Sequence, residues 1–271
     1  MLLGNGQAMC IVLLAHQVHP RYPLVLIANR DERYLRPTRR MQVWEHPPRI
    51  LAGKDLEAGG TWLGLDDKAR LALLTNYREP GRKRYASSRG RLPLDYLSTA
   101  VDEQRGFEER LELTREHFAG YNLLFGSVGK LSHYSNRDED IHRLEPGYHG
   151  LSNAGLNTPW PKVERGKRLL QEALESPALF PESLFDILRD VYKPDDAALP
   201  ETGLPLSLER ELSSIFISGE DYGSRSGTVI VADSEGEFRV WERDYLSGEE
   251  RAFTLLGGVF TRLNLQKTRE I

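Results

Sequence analysis

The 271-residue chain has a single cysteine, Cys10, so it can form no disulfide within itself. No Cys-x-x-Cys or His-Glu-x-x-His spacing occurs, which argues against a structural zinc site or a zinc protease and leaves no metal site to name. A P-loop and a Gly-x-Ser-x-Gly elbow are also missing, so neither a nucleotide phosphate nor a serine nucleophile has its usual cradle. The longest apolar runs, such as Cys10–Ala15 and Leu24–Ala28, fall far short of the roughly 20 residues that span a membrane. There is no excess of basic charge. With 36 Lys and Arg against 40 Asp and Glu, the formal net charge is −4, which disfavours a nucleic-acid partner. No cationic stretch leads into a long apolar core at the N-terminus, and Arg269-Glu270-Ile271 is no lipidation box, so a cytoplasmic location is expected.

What is present describes a globular protein: 39% apolar and 28% charged residues. The length suits one large domain over residues 10–271. Residues 1–9 read as an extension, or as a start assigned ahead of Met9. Cys10–Ala15 and Leu24–Ala28 are short, apolar and β-branched, the pattern of strands covered on both faces. Their short connection predicts an antiparallel hairpin, in which the numbers of facing residues sum to a constant. A loop centred near His19 and Pro20 gives a sum of about 39 and sets Cys10 against Asn29 or Arg30. Further strands are predicted at 59–65, 71–75, 123–134 (a hairpin), 150–153, 228–232, 238–243 and 253–256. Helices are predicted over 93–117, from Trp160-Pro161 onward, and over 181–192 and 206–216. Strands, then helices, then strands fit an α+β layered fold better than an alternating parallel sheet.

The chemistry-bearing residues gather at strand ends. Asn29-Arg30-Asp31-Glu32 follows a buried strand, where a rigid scaffold can place reactive groups or where a strand merely meets water. Cys10 directly follows Met9. If it became the first residue, it would hold a thiol nucleophile and an α-amine base together. Asn76 and Asn153, each at a strand end, carry amide donors suited to a developing oxyanion, or to capping a turn. Arg225, flanked by Gly223 and Gly227, suits a substrate carboxylate or a brace for an acid. His16 and His19 flank the first loop and are either a solvated pair or ligands to haem iron. The basic cluster Arg82, Lys83, Arg84 and Arg89 reads as a solvated loop.

Met9-Cys10, Ala28-Asn29-Arg30-Asp31-Glu32, Gly59-Gly60-Thr61-Trp62-Leu63-Gly64, Leu74-Thr75-Asn76-Tyr77-Arg78, Gly150-Leu151-Ser152-Asn153-Ala154, Trp160-Pro161-Lys162-Val163 and Tyr222-Gly223-Ser224-Arg225-Ser226 occur in that order. Together they resemble the NRDE family, also called the transport-and-Golgi-organisation family, over Met9 to about Tyr245. The family in turn resembles N-terminal-nucleophile (Ntn) hydrolases. The resemblance implies a four-layer αββα sandwich with two stacked antiparallel sheets. It implies Cys10 as nucleophile, Arg30 with Asp31 or Glu32 in the arginine–acid position, and Asn76 and Asn153 at the oxyanion. It leaves Asn29, Glu32, Trp62 and Arg225 toward a small-molecule substrate whose amide or other acyl bond is hydrolysed. Members are also linked to haem trafficking and lipid metabolism. The alternative it implies is therefore a non-catalytic carrier of haem or another amphipathic ligand, with no cofactor of its own.

Overall fold

The computed structural model describes residues 10–45, 48–79, 85–138, 140–265 and 271. The expected extension at 1–9 and the basic residues Arg82 to Arg84 lie outside them. The strands run β1 (Cys10–His16), β2 (Leu24–Arg33), β3 (Thr38–Trp44), β4 (Ile50–Asp55), β5 (Leu63–Asp66) and β6 (Arg70–Asn76). Helices α1 (Arg91–Ser98) and α2 (Gln104–Thr114) precede β7 (Tyr121–Ser127), β8 (Lys130–Ser135), β9 (Ile141–Arg143) and β10 (Gly147–Leu151). Then come α3 (Pro161–Leu174), α4 (Pro181–Leu188), α5 (Leu206–Glu211), β11 (Tyr222–Ala232), β12 (Phe238–Asp244), β13 (Glu250–Leu256) and β14 (Val259–Arg262).

Two seven-stranded antiparallel sheets result, one ordered β10-β1-β2-β11-β12-β13-β14, the other β3-β4-β5-β6-β7-β8-β9. The period-2 alternation of β1 explains the layering. Val12 and Leu14 enter the core between the sheets with Leu26, Ile230, Leu51, Leu73 and Leu124. Ile11 and Leu13 face the other way, against Leu170, Leu184 and Phe185 of α3 and α4. The second sheet does the same with α1 and α2, through Ala72, Leu123, Leu97, Phe107 and Leu111. The order of layers is helix, sheet, sheet, helix, as the resemblance implied.

Several elements differ from expectation. The Asn29-Arg30-Asp31-Glu32 box does not follow a strand but lies inside one, buried, because β2 continues to Arg33 with β11 paired along it. The long helix over 93–117 is broken at Thr99 and Ala100, which are extended. Arg70 causes the break. Its guanidinium, fixed by Asp66 at 2.7 Å, takes the carbonyls of Leu97 and Thr99 at 2.7 Å each and so ends α1. The helix expected over 206–216 ends at Glu211. β3, β4, β9 and β14 have no counterpart among the predicted strands. β3 is a polar edge strand with an irregular register between Arg39 and Gln42, which hides its alternation.

One glycine of the Gly59-Gly60-Thr61-Trp62 run is demanded by packing. A Cβ on Gly60 would lie 2.2 Å from the Gly90 carbonyl oxygen and 2.4 Å from its carbon, both backbone atoms that cannot swing aside. Gly60→Ala is expected to lower stability by about 1–3 kcal/mol, the range for overpacking. Urea unfolding would read this as a lower midpoint at unchanged slope.

Candidate active site

Cys10 opens β1, and Arg30 is its partner across the ladder to β2, within the range set by the hairpin arithmetic. Arg30 pairs on its other side with Ser226 of β11, so Cys10, Arg30 and Ser226 form one row across the sheet. Alternation then divides the box. Arg30 and Glu32 share the face of Ala28, toward the second sheet. Asn29 and Asp31 share the face of Ile27, toward the helices.

Asn29 is taken up by structure. Its Nδ2 donates to the carbonyls of Leu188 at 2.7 Å and Ile215 at 3.0 Å, and its Oδ1 accepts from the Tyr245 hydroxyl at 3.0 Å. It is thus on the face opposite Arg30, tying β2 to the end of α4 and to the segment that follows α5, and not among the groups that face the second sheet. Asp31 is wholly buried. Its Oδ1 accepts from Ser224 Oγ at 2.5 Å, and its Oδ2 has no hydrogen-bond donor among the described residues.

Lys162 of α3 completes this buried group. Its Nζ donates to the Leu212 carbonyl at 2.9 Å. Burial pulls the ammonium down to about 8, and the charge of Asp31 opposes that fall. Burial pushes the Asp31 carboxyl up to about 7, against the pull of Lys162, the Ser224 hydroxyl and Arg30. Burial, then the charge of Asp31, pushes the Cys10 thiol up to about 12, while the Asp31 main-chain N–H and Arg30 favour the thiolate. The sequence carried Lys162 only as one letter of a motif. Its partner becomes visible once α3 docks on β1.

The end of the site near Cys10 is closed by the segment after β10. Ser152 Oγ donates to the Cys10 carbonyl at 3.0 Å. Asn153 Nδ2 donates to the carbonyl of Asn76 at 2.8 Å, and the Asn153 carbonyl accepts from the Arg78 N–H at 2.7 Å. Both expected oxyanion residues therefore meet, Asn76 at the end of β6 and Asn153 in the segment after β10. The second sheet braces this junction from below. Thr75 Oγ1 donates to the Ser152 carbonyl at 2.8 Å. Asn122 Nδ2 donates to Thr75 Oγ1 at 3.2 Å and to the Ala154 carbonyl at 3.0 Å. His133 Nε2 donates to Asn122 Oδ1 at 3.1 Å.

On the other side of Cys10 lies a cluster of guanidinium groups. Arg30 stacks on the Trp62 ring at 4.3 Å. Arg225 sits where the β2–β11 register shifts between Ser224 and Ser226. That irregularity turns it toward Thr38, whose Oγ1 lies 3.3 Å from both Arg225 and Arg30. Glu32 is occupied by cations, 3.8 Å from Arg30 and 3.4 Å from Arg36. His16 ends β1 at the far side, six residues and about 20 Å of strand from Cys10. His19 accepts from the Arg21 and Tyr22 N–H groups and stacks on Tyr22. Neither histidine shares a site with Cys10. Among the described residues no group of three or more His, Cys, Asp or Glu is placed to hold a metal ion, and no helix is long and apolar enough to cross a membrane.

This arrangement has the Ntn-hydrolase fold: two stacked antiparallel sheets between helices, with the candidate site at the start of a central strand. The chain is similar to penicillin V acylase from Agrobacterium tumefaciens, with a TM-score of 0.53 and 13% identity over 94% of this chain and 92% of that one. It is as similar to a mutant of conjugated bile acid hydrolase from Clostridium perfringens, with a TM-score of 0.53 and 10% identity over 97% and 98% of the two chains. Within that fold class the chain belongs to the transport and Golgi organisation 2 family, whose sequence profile matches residues 9–247. It is 34% identical to the human transport and Golgi organization protein 2 homolog over 88% of this chain and 94% of that protein. To the Drosophila melanogaster protein it is 27% identical over 86% and 91%.

Proposed function

We propose that this protein is a cysteine acyl hydrolase of the Ntn type, acting on an amide or related acyl bond through Cys10. The observation that carries the reading is the convergence on Cys10. Arg30 pairs beside it, Ser152 holds its carbonyl, and the Asn76–Asn153 junction lies next to it. The likeness in fold to a penicillin acylase and a bile acid hydrolase supports the same reading.

The thiol pushed up to about 12 cannot ionise alone at neutral pH, so it needs a base. In a chain beginning at Cys10, the free α-amine is that base. Asp31, buried with one oxygen lacking a donor, orients the ammonium that forms. The sulfur attacks the acyl carbon and its proton passes to the amine. The carbonyl electrons move onto oxygen beside the Asn76 and Asn153 amides. Collapse of that intermediate expels the leaving amine, which takes the proton, and leaves a thioester. Water then attacks the thioester and releases the acid and the thiol.

The test is intact mass of the protein from its untagged gene, followed by reaction with p-nitrophenyl acetate. A chain starting at Cys10 should release one equivalent of nitrophenol in a burst and gain one acetyl group, and Cys10→Ala should do neither. Equal acetylation of the two proteins overturns the proposal. The raised thiol also favours a second reading for a chain that keeps residues 1–9, in which Cys10 has no α-amine and the fold serves as a carrier of an amphipathic ligand such as haem. A saturable shift of the Soret band on haem titration is expected then, and its absence removes this reading.

A further inference from the structure

Arg30 and Arg225 stand apart from Arg36 and Arg40, the arginines beside Arg225. Arg36 is neutralised directly by Asp55 at 2.8 Å, and Arg40 by Asp244 at 3.2 Å. Arg30 is 6% exposed, yet its nearest carboxylates, Glu32 and Asp55, lie at 3.8 and 4.0 Å, beyond hydrogen-bond reach. Its guanidinium donates to the Thr38 hydroxyl. Arg225 makes no ion pair among the described residues and donates to the carbonyls of Arg33 and Arg36 and to the same Thr38 hydroxyl. Two guanidinium groups, Arg30 buried and Arg225 half-buried, thus converge on one neutral oxygen. Like charges so placed repel: burial and the charge of Arg225 weaken the hold of Arg30 on its proton against the pull of Glu32 and Asp55, and burial and the charge of Arg40 weaken that of Arg225 against Asp244 and Glu32. An oxyanion relieves the repulsion and accepts charge-assisted hydrogen bonds from both.

We propose that Arg30, in the row of Cys10, and Arg225, on the register shift beside that row, form an anion subsite, so that the substrate carries a carboxylate or phosphate close to the bond attacked. This deepens the reading of Cys10 as nucleophile and in part rests on it.

The chain's single thiol allows a direct test. Iodoacetate and iodoacetamide deliver the same carbon to sulfur. In both, a C–S bond forms, iodide leaves and the thiol proton goes to solvent. They differ in charge. The ratio of their rates at Cys10, read by intact mass and normalised to glutathione, should be about tenfold higher in the wild type than in Arg225→Gln, the size of one charge-assisted hydrogen bond. Arg225→Lys should keep part of the preference, and succinate should protect the wild type from both reagents while equal ionic strength of chloride does not. An equal ratio in wild type and Arg225→Gln overturns the subsite. So does a wild type that prefers iodoacetamide and is unprotected by succinate, which stands even if Arg225→Gln does not fold.

If neither reagent reaches Cys10, the nucleophile reading fails, and calorimetric titration of the intact chain decides the subsite by itself. Saturable heat with succinate or with inorganic phosphate, lost in Arg225→Gln, supports it and tells a carboxylate from a phosphate ligand. No saturable heat with either overturns it.

Discussion

Lys162→Met is expected to lower stability by about 3–5 kcal/mol near neutral to mildly basic pH, because it strands the Asp31 carboxylate in the core without its cation. Methionine keeps the length of the side chain and removes both the charge and the hydrogen bond to the Leu212 carbonyl. The loss should depend on pH in a definite direction. The Asp31 carboxyl is raised from 3.8 to about 7, so the folded state holds that proton more tightly than the unfolded chain. Its contribution is complete below about pH 4 and is lost as pH rises through 7. Lys162 is lowered from 10.5 to about 8, so its contribution is complete above pH 10.5 and lost as pH falls through 8. Without the ammonium, Asp31 titrates higher still, and stability keeps falling above pH 7 where its effect in the wild type has levelled. Urea unfolding should therefore find the variant least impaired near pH 5 and increasingly impaired as pH rises through 8, above which the wild type also regains the Lys162 contribution that the variant lacks. Asp31→Asn combined with Lys162→Met should cost less than the sum of the single changes, with a coupling of about 1–3 kcal/mol. Strict additivity would mean that the two groups are not a pair.

The positions that sequence patterning located are those whose surroundings are apolar on both faces. β1 and β2 are such strands, so their pairing followed from chain geometry alone, and Cys10 fell opposite Arg30. The box itself was harder to place. Four polar residues in a row look like the end of a strand, but pairing to β11 keeps them in the sheet and buries them. Had the strand been carried through, period 2 would have separated Arg30 and Glu32 from Asn29 and Asp31. Arg225 lay beyond such reasoning, since a register shift rather than alternation aims it at Thr38. Lys162 was hidden for another reason. Its role comes from the docking of α3, which brings the ammonium within the electrostatic reach of Asp31, and nothing in the local sequence of either residue records that interaction.

Asn153→Ala is expected to slow thioester formation with p-nitrophenyl acetate by about 10²–10³-fold, the usual effect of losing one oxyanion donor. The size follows from how firmly the amide is held before any substrate arrives. Asn153 is anchored through its Nδ2 to the Asn76 carbonyl and through its own carbonyl to the Arg78 N–H. The residue before it is gripped by Thr75 and grips Cys10 in turn. A donor fixed in this way needs no reorganisation when charge develops on the carbonyl oxygen. The loss should appear in kcat with KM little changed, because the hydrogen bond strengthens only as the oxyanion forms. Alanine also removes the hydrogen bond to the Asn76 carbonyl, so a fall in rate alone does not separate chemistry from a loosened loop. In Asn153→Asp, which loses the same hydrogen bond to the Asn76 carbonyl, alkylation of Cys10, read beside the burst, makes that separation. Aspartate keeps the shape, removes the amide donor and sets a negative charge where the oxyanion must grow. If the donor is the point, the aspartate variant should be at least as slow as alanine while Cys10 remains open to iodoacetamide. An aspartate variant with the wild-type burst rate would take Asn153 out of the oxyanion role and leave it as a clamp between the two sheets.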